Sequence, residues 1–181
     1  MRIACLIAAG AAASAWTSAA GAHVDLTYPP MRYEYSNSGQ KTGPCGSGPA
    51  TGAVTTFGPG ATITVTWDET INHPGHYRIS VDANGGDDFV DPTGYDDFYV
   101  APSVVVDDIP DMGGSSFSQQ ITLPETECDL CTIQLIQVMT DKPPWGPAGG
   151  NDIYYWCADI AIKEGGGNGG APNNAGGSGA G

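Results

Sequence analysis

Thr62-Ile63-Thr64-Val65-Thr66-Trp67 alternates a small polar residue with a large apolar one at every step. A two-residue period puts the threonines on one face of a strand and Ile63, Val65 and Trp67 on the other. That is the pattern of a sheet wet on one side and buried on the other. The period recurs on both sides of this stretch. Tyr77, Ile79 and Val81 alternate with Arg78, Ser80 and Asp82, and Phe117, Gln119, Ile121 and Leu123 alternate with Ser118, Gln120 and Thr122. Residues 24–28, 98–106, 132–139 and 153–162 are further strand candidates, separated by clusters of Gly, Pro, Asn and Asp. No segment carries a helical stripe. Seven short strands with turn signals between them predict an all-β fold, an antiparallel immunoglobulin/fibronectin-like β-sandwich with long loops. In 153–162 the set Tyr154, Trp156, Ala158, Ile160 and Ile162 is more apolar than Tyr155, Cys157, Asp159 and Ala161, so it is expected to face inward.

The ends bound the domain. Met1-Arg2 places one positive charge before an Ala-rich apolar run that closes on Ala20-Gly21-Ala22. A charge, a short apolar core and a small-residue cleavage site make residues 1–22 a secretory signal peptide. The run is too short and weakly apolar for a bilayer span. The last stretch, 164–181, is almost wholly Gly, Asn, Ala and Ser and reads as a flexible tail. The globular domain is then 23–163, in a secreted or cell-surface protein.

The formal net charge is −14, and loss of Arg2 (−14 − 1) leaves −15. So acidic a surface excludes nucleic acid and anionic lipid as natural partners and suits a neutral ligand or a cation. Past the cleavage site four cysteines remain, Cys45, Cys128, Cys131 and Cys157. In an exported protein they read as two disulfides, in any of three pairings. A single Cys-x-x-Cys pair argues against a zinc site. The six aspartates between Asp82 and Asp97 lack EF-hand spacing and read as a solvated acidic loop.

Cleavage after Ala22 leaves His23 as the first residue. An N-terminal His offers its α-amine and its ring Nδ1 to one metal ion, and a second His completes a planar three-nitrogen set, which suits Cu(II). The only other histidines past the cleavage site, His73 and His76, lie in Asn72-His73-Pro74-Gly75-His76-Tyr77, on the turn before a strand. Either could approach the site.

These residues resemble the lytic polysaccharide monooxygenases that act on chitin and cellulose. His23 is followed by Pro29 and Arg32 at that family's spacing, and Cys45-Gly46 stands where many members place Cys-Gly. Asn72-His73-x-Gly75-x-Tyr77-x-Ile79 is similar to the turn that carries their second copper histidine. Tyr154-Tyr155-Trp156-Cys157-Ala158-Asp159 is similar to their last core strand, whose axial aromatic precedes the Asp by five residues. Gln137 stands where bacterial members often carry Trp.

The resemblance implies one copper ion, cycling between Cu(II) and Cu(I), held by a histidine brace of His23 and His73 rather than His76. Tyr154 would fill the axial side and Gln137 would lie just behind. It also implies a monomer that cleaves a polysaccharide, chitin or cellulose, with an external electron donor. Trp145 is the best candidate for a glycan-binding platform. The disulfides are expected to join Cys45 to Cys157, tying the early loop to the last strand, and Cys128 to Cys131 as a local clip. A secreted copper carrier is the alternative, although Met31, Met112 and Met139 are scattered rather than clustered as Cu(I) carriers tend to have them. A carbohydrate-binding module would leave the pairing of His23 with His73 without a purpose.

Mass spectrometry of the exported protein is expected to show a chain that begins at His23. Any other first residue removes the amine–imidazole chelate.

Overall fold

The computed structural model describes residues 24–34, 39–141, 143–146 and 152–167. His23, the segment 1–22 and residues 168–181 lie outside the described residues. Eight strands appear in chain order: β1 (Val24–Tyr28), β2 (Val54–Phe57), β3 (Thr62–Glu69), β4 (Gly75–Asp82), β5 (Val104–Pro110), β6 (Ser116–Thr122), β7 (Cys128–Met139) and β8 (Ile153–Ile162). One 3-10 turn, Gly39–Lys41, is the only helical element among the described residues. The strands form a three-stranded sheet, β1-β3-β6, and a five-stranded sheet, β2-β8-β7-β4-β5. All pairs are antiparallel except β2 with β8, which run parallel at the edge.

The alternation predicted from sequence is the alternation of the core. Ile63, Val65 and Trp67 from β3 pack against Tyr77, Ile79 and Val81 from β4 and against Ile133, Leu135 and Met139 from β7. Tyr154, Trp156, Ala158, Ile160 and Ile162 from β8 join this inner cluster. Trp67 is at the centre, stacked on Phe117 at 5.6 Å and edge-on to Tyr77 at 5.1 Å.

Two expectations need correction. Residues 98–103 are not strand; β5 begins at Val104 and runs to Pro110. The preceding stretch is part of a covering loop, and Phe98 packs edge-on against His76 at 5.2 Å. The acidic loop is only partly solvated: Asp88 and Asp96 are exposed, but other aspartates are engaged. Asp82 accepts the N–H groups of Asn84 and Asp87, Asp91 accepts the Tyr155 hydroxyl, and Asp87 binds the Arg32 guanidinium at 2.7 Å. The loop thereby lies over the outer face of the large sheet. His76, Arg78 and Ser80 alternate with the core residues of β4, yet all three are buried. Arg78 and Asp107 form an ion pair there at 2.7 Å with neither side chain more than 1% exposed. A second, smaller apolar cluster of Ile136, Val138, Ile153 and Tyr155 fills the remaining space, with Tyr95 and Trp145 packed on it.

The cysteines pair Cys45 with Cys157, across 112 residues with Cα atoms 5.0 Å apart, and Cys128 with Cys131. Cys157 lies on the outer face, opposite Tyr154 and Trp156. The first residues of the Gly-rich tail still follow the sheet, since Gly167 bridges to Phe57 and accepts the Gly58 N–H at 3.3 Å.

The two cross-links differ in the loop they close. Replacing Cys45 and Cys157 together by Ala is expected to lower the unfolding free energy by about 2–5 kcal/mol in urea titrations. Replacing Cys128 and Cys131 is expected to cost less, because its loop is short. The reverse order would show that the long cross-link is not what restrains the unfolded chain.

Candidate metal centre

The inner face turns polar at one end of the sandwich. Along β3 the buried set runs Ile63, Val65, Trp67 and then Glu69, the last only 6% exposed. Along β7 it runs Ile133, Leu135 and then Gln137, fully buried. Strand register sets Gln137 between Tyr77 on β4 and Tyr154 on β8. Its amide nitrogen donates to Glu69 Oε1 at 3.0 Å and lies 3.3 Å from both the Tyr77 hydroxyl and Asp111 Oδ2. Two carboxylates facing one amide fix its orientation, because only the NH2 end can donate to them. Burial, then the negative charge of Asp111, hold the Glu69 carboxyl above its ordinary pKa. Burial, then Asp111 and Glu69, push the Tyr77 hydroxyl well above its ordinary value. Tyr77 therefore stays neutral.

His73 sits on the loop between β3 and β4, directly above this cluster. Its backbone N–H donates to Glu69 Oε1 at 3.3 Å, and Asn72 Nδ2 donates to Glu69 Oε2 at 3.4 Å. The loop then turns back through Pro74-Gly75. A Cβ at Gly75 would collide with the Val138 carbonyl, so only glycine lets β4 start this close to β7. Thr140 fixes the turn by donating its N–H to Pro74 O at 2.8 Å. The ring Nδ1 of His73 lies 3.3 Å from Asp141 Oδ2. A carboxylate only accepts, so Nδ1 carries the proton and Nε2 is the ring's acceptor nitrogen.

Tyr154 is 3% exposed, with its ring 6.0 Å from Trp156 and under the Lys41 ammonium at 5.0 Å. Its hydroxyl is raised above its ordinary pKa by burial and then by Asp141, the same carboxylate that faces His73. Asp141 thus links the two.

Of the sequence-expected residues, His73, Tyr154 and Gln137 come together at this end. His23 lies outside the described residues, but Val24, its neighbour in sequence, pairs with Glu69. His76 goes elsewhere: it sits on the outer face of β4 against Phe98, and burial pulls its imidazole below the ordinary pKa. Trp145 packs edge-on against Tyr95 at 5.1 Å on the outer cluster, so it is not a free platform. Sequence reasoning missed Glu69, Asp111 and Asp141. Glu69 was within reach, since it is the next inner position after Ile63, Val65 and Trp67. Asp141 and Asp111 sit just past strand ends, where no period places them.

Among the described residues no three His, Cys, Asp or Glu side chains converge as a complete ligand set. His73, oriented by a carboxylate, supplies one nitrogen of the kind copper takes. Two clefts of about 300 Å³ lie away from it. One is beside Glu127, Cys128 and Lys163, and the other is beside Arg32, Tyr33 and Leu130.

Three comparisons bear on this geometry. A family model described as "Copper acquisition factor BIM1-like" matches residues 21–175. No curated protein sequence matches the chain. Among solved structures the chain is similar to a lytic polysaccharide monooxygenase AA15 from Thermobia domestica in the Cu(I) state. That pair is 19% identical, covers 77% of this chain and 98% of the other, and has a TM-score of 0.49. It is also similar to an AA10 lytic polysaccharide monooxygenase from Streptomyces lividans, at 15% identity, 77% and 82% coverage and a TM-score of 0.42.

Gln137→Leu keeps the volume and removes the shared donor, leaving the buried Glu69 carboxylate, the half-buried Asp111 and the Tyr77 hydroxyl facing a hydrocarbon. The variant is expected to lose about 1–3 kcal/mol of stability in urea unfolding, the cost of orphaning a buried acceptor. An unchanged midpoint would show that water replaces the amide.

Proposed function

The chain belongs to the BIM1-like copper acquisition factor family, and we propose that it captures one copper ion at the His73 end of the sandwich and carries it as cargo. The observation that carries this reading is the link between two chain segments. Glu69 pairs through its backbone with Val24, the residue after His23, while its carboxylate accepts the His73 N–H. A mature chain starting at His23 would bring an amine and an imidazole to the region where Asp141 orients the His73 ring. Three nitrogens in a plane favour Cu(II), and the amine binds only once deprotonated, so capture weakens as pH falls below about 8.

The supporting parts have separate tasks. Asp141 fixes the His73 tautomer. Glu69 anchors the His73 loop, and Gln137 holds Glu69 against Asp111. Tyr154 contributes a buried ring at this end of the core. Net charge −14 draws cations toward the surface. No helix among the described residues is long and apolar enough to cross a membrane. Export through the apolar segment 1–22 would put the protein outside the cell or on its surface, working as a monomer.

A second reading is copper-dependent oxidative cleavage of glycosidic bonds. It is favoured by Tyr154 and Gln137, which flank the site where an axial aromatic and its neighbour are expected. It requires chitin or cellulose as partner and an external electron donor. Trp145, its expected platform, is engaged with Tyr95 instead.

Copper titration of the chain beginning at His23 separates these. One tightly bound Cu(II) per chain is expected, weakened at least about tenfold in Asp141→Asn and more in His73→Ala. The copper-loaded protein is then incubated with ascorbate and chitin or cellulose. Oxidised oligosaccharides that vanish in His73→Ala would establish cleavage. Tight copper with no oxidised product supports the cargo reading, and absence of copper binding overturns both.

A further inference from the structure

Met112 is 82% exposed, more than Val54, Ile71, Val90, Tyr99 or Leu130, the other exposed large apolar residues among the described ones. A methionine in water leaves its apolar surface unburied, and among the described residues this side chain joins neither apolar cluster. Its backbone is nevertheless pinned. The segment 111–115 is clamped at both ends: Asp111 donates its N–H to Gly75 O at 3.3 Å, and Ser115 O accepts the Glu69 N–H at 3.0 Å. Gly113, in the left-handed region at φ 69°, lies so close to the β3–β4 loop that an added Cβ would stand 3.4 Å from Asn72 Nδ2. Asn72 is the neighbour of His73 in sequence. Asp111 is the neighbour of Met112, and its carboxylate meets Gln137, which meets Glu69, which accepts the His73 N–H. Met112 and His73 thus sit on two adjacent loops braced by one polar cluster.

We propose that Met112 is a Cu(I) ligand at the rim of the copper site, a soft docking point through which Cu(I) enters or leaves. The proposal rests on the cargo reading above. A thioether is a soft donor that selects Cu(I) and contributes little to Cu(II), whereas the amine and imidazole nitrogens suit Cu(II). The two donor types, on neighbouring parts of the chain, would give the protein a place for either oxidation state, with no electron transfer required of it. Glu69 and Asp111 at Gln137, and Asp141 beside His73, place negative charge at this end of the sandwich and raise the local concentration of the cation. The long unbranched side chain can follow an ion as it moves between protein and partner.

The test uses the chain that begins at His23, without oxygen, with Cu(I) alone as the probe and a chromophoric Cu(I) chelator as competitor. Met112→Leu is the variant; an exposed side chain of equal size leaves the fold intact, and equal urea midpoints check this. Met112→Leu is expected to bind Cu(I) about tenfold more weakly while its Cu(II) affinity stays unchanged. X-ray absorption of the Cu(I) form is expected to show a sulfur neighbour that the variant lacks. Equal Cu(I) affinities and no sulfur neighbour, with Cu(II) still bound tightly by both proteins, would overturn the proposal and leave the cargo reading standing. Failure of the parent chain to bind either Cu(II) or Cu(I) would overturn both.

Discussion

One amide nitrogen stands between three oxygens at the end of the core, and the placement of His73 depends on it. Gln137 brings two protons to Glu69, Asp111 and the Tyr77 hydroxyl. Without that donor the two carboxylates would repel at close range in a medium that screens poorly. Glu69 in turn spends its acceptor capacity on both the amide and the His73 loop. The sandwich is apolar through most of its length because alternation makes it so. It becomes polar where three strands and two loops end together. A site built there inherits the rigidity of the strands beneath it, which a site on loops alone would lack.

The other end of the N-terminal segment is held with equal care. Arg32 donates its backbone N–H to Cys157 O, and its guanidinium reaches Asp159, Asp87 and Thr132, each at 2.7 Å. Asp87 is held below the usual carboxylate range, against its own desolvation, by the Arg32 and Thr132 hydrogen bonds. The chain that leaves β1 is therefore fixed to the outer face of the large sheet by a fork of charge-assisted bonds, while β1 itself is fixed to β3. Nearby, the 112-residue disulfide ties the loop at Cys45 to β8. Together these hold the stretch beginning at Val24 in place, which matters for any ligand set that includes the residue before it.

Much of this was legible in the sequence, and the failures have physical causes. The period of two located the core strands, and in β8 it also predicted which side chains face inward, because Tyr154, Trp156, Ala158, Ile160 and Ile162 are the more apolar set. The same rule carried one step further along β3 places Glu69 inside. A run that ends in a carboxylate does not look like core, and the alternation was read as stopping at Trp67. β2 escaped notice because four residues, with Val54 52% exposed, carry no pattern; its partner on β8 gives it strand geometry. The outer face of β4 reads as solvent-facing, since His76, Arg78 and Ser80 are polar. A long loop covers it, and a covered polar face must satisfy itself, as Arg78 does with Asp107. His76 was an open candidate on sequence grounds because it sits near His73 in the chain. His73 lies in the turn before β4, whereas His76 is the second residue of β4 and faces the cover.

The same nitrogen set can serve a cofactor or a cargo, so the ligands alone do not decide what the copper is for. The surroundings do. A metal that must act on a flat, insoluble polymer needs a broad face on which sugar rings can lie, commonly aromatic. Here Trp145 is turned onto Tyr95, and the apolar side chains exposed on the loops around His73 are Ile71, at 44%, and Met112. A metal that must be received and given up needs a weak, soft, accessible donor near a strong, hard one, and charge that favours arrival. The proposed Met112 thioether, on the loop beside the acidic cluster, would meet that requirement. The match to the BIM1-like copper acquisition factor family is the observation that supports the proposed transfer reading.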